Sequence, residues 1–137
     1  MRKTLIHSML LIGVVIMMGC KSSSPVQRYA SVIGVKAEAL DKYKALHANP
    51  WPEINAKLKQ VNIQNYSIYL TQFPDGNHYL FGYFEYTGKD FDADMKQMAD
   101  DPKTKEWWSH TDPMQLPLEN RDKGDWWKAM EEVYHLD

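Results

Sequence analysis

Tyr43 and His47 stand four residues apart, a spacing that stacks both side chains on one face of a helix. Histidine has an ordinary pKa of about 6.5, so it gives and takes protons near neutrality. Tyr66 and the adjacent Trp107 and Trp108 offer flat faces for the C–H side of a saturated ring such as a sugar. Each also carries a hydroxyl or indole N–H at its rim. His7, His78, His110 and His135 fall in no metal-ligand spacing with His47, and a lone cysteine makes no Cys/His cluster. The sequence holds no glycine-rich phosphate loop, no G-x-S-x-G elbow and no close acid pair. On residue types alone, these side chains describe a small-molecule pocket that uses one histidine.

The elements that must hold them can be read in order. Arg28–Val35 is β-branched and apolar and predicts a largely buried strand. From Glu38 the period changes, and Leu40, Tyr43 and His47 recur as one helical face. Asn49-Pro50 should stop that helix, because the residue before proline avoids the α region. Pro52 suits the first turn of a second helix, with Glu53 near its positive end and Ile54, Leu58 and Val61 as its apolar stripe. The "HANPWPE" stretch (47–53) is therefore a joint between helices. "NIQNYSIYL" and "HYLFGYFEY" flank "PDGN", which predicts an antiparallel hairpin. Helices are expected from Phe91 and again from Pro102, the second ending near Trp107-Trp108, and "EVYHL" (132–136) is expected to close the domain as a final strand. The order β–α–β–β–α–β is the ferredoxin-like α+β plan, an antiparallel sheet with helices on one face. The other face, rich in aromatics, calls for a partner, so a homodimer is expected.

Residues 1–19 have a basic start at Arg2 and Lys3 and an apolar run from Met9 to Met18. That is the build of a secretory signal peptide, and the run is too short to span a bilayer as a helix. Cys20 stands where a bacterial lipoprotein is cleaved and lipidated, and residues 20–27 read as a polar tether to a domain at 28–137. The expected address is the outer membrane, periplasmic or surface-exposed, held through the N-terminal lipid only. Cleavage would leave 118 of the 137 residues and remove two of the 16 basic side chains but none of the 18 acids, for a formal charge of −4. Such a domain is not built for nucleic acid. It is left without a second cysteine for an intramolecular disulfide.

From Arg28 to Leu136 the chain resembles the L-rhamnose mutarotase family. The resemblance rests on Tyr43-x-x-x-His47-x-x-x-Trp51-Pro52-Glu53, on "NYSIYL" at 65–70, on Trp107-Trp108 and on the C-terminal "EVYHL". It implies a dimeric α+β barrel, no cofactor, and interconversion of the α and β anomers of L-rhamnose or a related 6-deoxyhexose. It further implies that His47 is the proton donor and that Tyr43, Tyr66, Trp107 and Trp108 bind the monosaccharide. The leader is an addition to the family's pattern. So is a longer connection, "LENRDKGDWWKAM", with an extra Trp126-Trp127. The alternative expectation is a non-catalytic sugar-binding surface lipoprotein that keeps the pocket without turnover.

Overall fold

The computed structural model describes residues 25–136. The leader and Cys20 lie outside the described residues. Strand β1 (Gln27–Val35) is the hub of the sheet. On one side it pairs antiparallel along its whole length with β3 (His78–Tyr86), and β3 in turn pairs with β2 (Ile63–Gln72). The hairpin turn at 74–77 is tied by Asp75, whose carboxylate accepts from the Asn77 backbone N–H at 2.8 Å. On the other side β1 meets two short strands, β4 (Gln115–Leu116) and β5 (Lys128–Met130). The sheet order β2-β3-β1-β4, with β5 also on β1, is the ferredoxin-like plan that the sequence predicts.

The fourth strand differs from expectation. Glu131–Leu136 forms no strand, and Val133, Tyr134 and Leu136 are largely exposed. The free edge of β1 explains this. Gln115 and Leu116 occupy Val35 and Gly34, while Lys128–Met130 occupy Val32 to Ala30, so little of β1 remains beyond them. The apolar side chains at 132–136 are real, but among the described residues they have no strand to lean on.

The helices follow the sequence closely. Helix α1 (Leu40–Ala48) ends before Pro50, and α2 (Pro52–Gln60) begins with proline in its first turn. Helix α3 (Phe91–Asp100) is capped by Asp90, whose carboxylate accepts from the Ala93 N–H at 3.0 Å. Helix α4 (Pro102–Thr111) is capped by Asp101, which accepts from Thr104 N–H at 2.9 Å and pairs with Lys57 of α2 at 3.2 Å. Because that ion pair is partly enclosed, it ties α2 to the start of α4. The core forms between sheet and helices from Ile33, Val35, Tyr43, Leu80 and Met114, with Leu40, Leu46, Ile68, Leu70 and Trp127 packed against it. Strand alternation puts Tyr69, Tyr79, Phe81 and Tyr83 on the face away from those helices. Among the described residues no helix is long and apolar enough to cross a membrane.

Candidate active site

His47 sits on the last turn of α1, and its Nδ1 lies 2.9 Å from the backbone oxygen of Tyr43. A carbonyl oxygen can only accept, so Nδ1 carries the hydrogen and Nε2 keeps a lone pair. Partial burial lowers the His47 pKa from its ordinary value, and the bond to the Tyr43 carbonyl offsets this only in part. The resting imidazole is therefore neutral near pH 7, with a lone pair on Nε2 that can take a proton. Tyr43 stacks on it with ring centroids 4.1 Å apart, as the i, i+4 spacing requires. The Trp107 ring meets His47 edge-on at 5.4 Å.

Trp51, inside the proline joint, packs edge-on against Trp107 at 5.3 Å and against His110 at 5.5 Å. The Lys103 ammonium lies 5.8 Å from the Trp51 ring centre. The joint thus does two things. Asn49 and Pro50 end α1 just past His47, and Trp51 braces the tryptophan that borders the histidine. Trp107 is buried and Trp108 only half-buried.

Tyr66 reaches the site through an irregularity in β2. Pairing with β3 slips between Gln64 and Ser67, and Asn65 adopts a positive φ of 49°. Asparagine tolerates that left-handed conformation, and Glu85 holds it by accepting from Asn65 Nδ2 at 2.7 Å and Gln64 Nε2 at 2.9 Å. A bulge of this kind re-aims a side chain. Here it turns Tyr66 onto Phe84, ring centroids 5.7 Å apart, on the helix side of the sheet. The Tyr66 residue stays 45% exposed, yet desolvation raises its pKa.

These side chains enclose one space. A cavity of about 420 Å³ is lined by Tyr43, His47, Tyr66, Trp107 and Trp108 together. All the pocket residues expected from the sequence therefore converge. A second cavity of about 360 Å³ shares His47, Tyr66, Trp107 and Trp108 and extends toward Pro50 and Ile54. The sequence reading did not place Gln115, Asp112, Trp126 and Trp127, which also line the first cavity. Gln115 is buried, and its amide lies between the Trp126 indole at 2.7 Å and the Tyr43 hydroxyl at 3.5 Å. Trp127 lies over Gly82 of β3, where a Cβ would stand 3.5 Å from its ring. Desolvation raises the Asp112 pKa, and Thr111 Oγ1 donates to its carboxylate at 3.4 Å. The repeated tryptophans were the available signal for this wall, but nothing in their spacing said which strand they would adjoin. Among the described residues no group of three His, Cys, Asp or Glu side chains could hold a metal ion.

Fold and site together define an α+β protein with an aromatic, acid–base pocket for a small polar ring compound. The model of the L-rhamnose mutarotase family matches residues 28–136, and the chain belongs to that family. The chain is 30% identical over 110 residues to an L-rhamnose mutarotase of Lactiplantibacillus plantarum, covering 80% of this chain and 98% of that protein. It is 32% identical over 111 residues to one of Flavobacterium johnsoniae, covering 80% and 95%. The crystal structure of an L-rhamnose mutarotase from Formosa agariphila shares the fold, with a TM-score of 0.61 at 22% identity over 81% of this chain and 99% of that one.

Proposed function

We propose that this protein is a cofactor-independent mutarotase, an isomerase that interconverts the α and β anomers of L-rhamnose or a related 6-deoxyhexose. The observation that carries the reading is the neutral His47, with Nε2 available as a base, in a cavity walled by Tyr43, Tyr66, Trp107 and Trp108. Mutarotation passes through the open-chain aldehyde. One proton leaves the anomeric hydroxyl, another arrives at the ring oxygen, and closure on the other aldehyde face reverses both. A histidine whose pKa lies below its ordinary value remains a base at neutral pH and can return the proton during closure. The aromatic walls suit the C–H faces of the sugar, and Ile68 and Met98 give a deoxysugar methyl an apolar seat.

The same reading assigns Tyr43, Tyr66, Trp107 and Trp108 to sugar binding and His47 to proton transfer. The protein works as a homodimer through the sheet face that carries Tyr69, Tyr79, Phe81 and Tyr83, a surface that none of the described helices covers. The exposed apolar side chains of the C-terminal segment favour the same assembly. Residues 1–19 are removed, and the lipidated Cys20 holds the domain at the outer membrane.

The test of function is saturation-transfer NMR of anomer exchange on L-rhamnose, L-fucose and common hexoses. Faster exchange of a 6-deoxyhexose than in buffer is expected. Binding of the sugar without faster exchange would replace the enzyme with a sugar-binding lipoprotein.

A further inference from the structure

His47 accounts for one of the two proton transfers in mutarotation, and the other group must also face the cavity. Its other titratable side chains are Tyr43, Tyr66 and Asp112. Hydrogen-bond polarity orders the hydroxyl of Tyr43. The Trp126 indole N–H can only donate, so the Gln115 atom 2.7 Å from it must be the amide oxygen. That fixes which way the buried amide faces. Its NH₂ group turns to the Tyr43 hydroxyl at 3.5 Å, and an NH₂ group can only donate. The Tyr43 oxygen is therefore the acceptor there, and its own O–H is left for another partner. Burial, more than any other influence, raises the Tyr43 pKa well above the ordinary tyrosine value, so the phenol keeps its proton at neutral pH. Asp112 is placed differently, since it accepts from Thr111.

We propose that Trp126 and Gln115 are positioning residues that order the Tyr43 hydroxyl as a donor into the cavity, making Tyr43 the second proton-transfer group beside His47. The inference rests on the mutarotase reading. In ring opening, His47 Nε2 takes the proton of the anomeric hydroxyl and the bond from the anomeric carbon to the ring oxygen breaks. The ring oxygen takes the Tyr43 proton as the anomeric C=O forms. After rotation about the C1–C2 bond, the sugar hydroxyl adds to the other face of the aldehyde. It returns its proton to Tyr43, and the aldehyde oxygen takes one from His47. Protons and electron pairs balance, and no co-reactant is needed. His47 and Tyr43 are stacked side chains of one helix, so opposite charges that develop on them attract. The connection that carries Trp126 thus has a chemical role: it sets the proton order of a tyrosine on the opposite wall.

The test compares variants of the full chain by kcat, KM and pH profile in anomer exchange of L-rhamnose. Tyr43→Phe should lower kcat by about 10²- to 10⁴-fold, the usual range for a lost proton-transfer group, while KM changes little. Trp126→Phe keeps an aromatic ring but frees the amide to turn, and should cost about tenfold in kcat, the scale of one hydrogen bond. Gln115→Glu gives the sharpest readout. An ionised carboxylate can only accept, so it captures the Tyr43 proton and suppresses kcat. Its protonation at acid pH restores donation, so the deficit relative to wild type at the same pH should shrink as pH falls, a convergence that a merely structural role would not produce. Retention of kcat within threefold in Tyr43→Phe overturns the proposal while leaving the mutarotase reading intact. So does a Gln115→Glu profile that only parallels wild type, or loss of activity in Asp112→Asn equal to that in Tyr43→Phe. Wild-type protein that does not accelerate exchange overturns the underlying reading instead.

Discussion

Replacing His47 by alanine tests the assignment of the base most directly, because its effects on rate and on stability separate by size. Loss of a positioned general base typically costs about 10²- to 10⁴-fold in rate, or about 2.7–5.5 kcal/mol at the barrier. The structural cost is smaller. The ring is only half-buried, and it makes one stacked contact with Tyr43 and one edge contact with Trp107. Contacts of this kind contribute about 0.5–1.5 kcal/mol each, so the fold loses about 1–3 kcal/mol. A domain of ordinary stability stays folded after that loss, with a fall in Tm of the order of 10 °C. Exchange rates from saturation-transfer NMR should thus collapse in His47→Ala, while circular dichroism shows a folded protein that still binds the sugar. A folded His47→Ala variant that exchanges anomers at the wild-type rate would refute the reasoning.

The remaining predictions are independent of one another. Because the His47 pKa is lowered, the neutral base persists to more acid pH than an ordinary histidine, so kcat/KM should hold through pH 6.5 and fall only below it; an acid limb centred above 6.5 would contradict this. Gly88→Ala should destabilise the fold by about 1–3 kcal/mol in denaturant titration, because its Cβ would run into the hydroxyl of the fully buried Tyr86, which is held by Asp94 at 2.6 Å. Light scattering on residues 21–137 should give twice the monomer mass, and a monodisperse monomer at micromolar concentration counts against the dimer. Cys20→Ser should release the protein from the membrane fraction, whereas unchanged processing and retention would rule out lipidation at that residue.

The parts of the site legible in the sequence are those held by local rules. Tyr43 and His47 share a helix face because helical periodicity dictates it, and Pro50 ends the helix because proline forbids the preceding α conformation. Tyr66 was nameable from its motif, but its aim depends on a left-handed Asn65 that Glu85 stabilises from the neighbouring strand, and no local pattern reports that partner. The fourth strand was misplaced for a related reason. "EVYHL" has better strand chemistry than "KAM", yet pairing is decided by which residues reach the free edge of β1, and Lys128–Met130 reach it first. That choice of register is also what brings Trp126 and Trp127 into the site. β5 begins immediately after Trp127 and pairs with Val32, Ser31 and Ala30, so the preceding tryptophans fall against Gly82 and Gln115 rather than beyond the sheet. Had 132–136 formed the strand in their stead, Trp126 would stand four residues further along the chain from the pairing edge, beyond reach of the amide it now orients. The segment that spoiled the prediction of the last strand is thus the one that completes the pocket wall, and the tail beyond it, which forms no strand, keeps Val133, Tyr134 and Leu136 exposed.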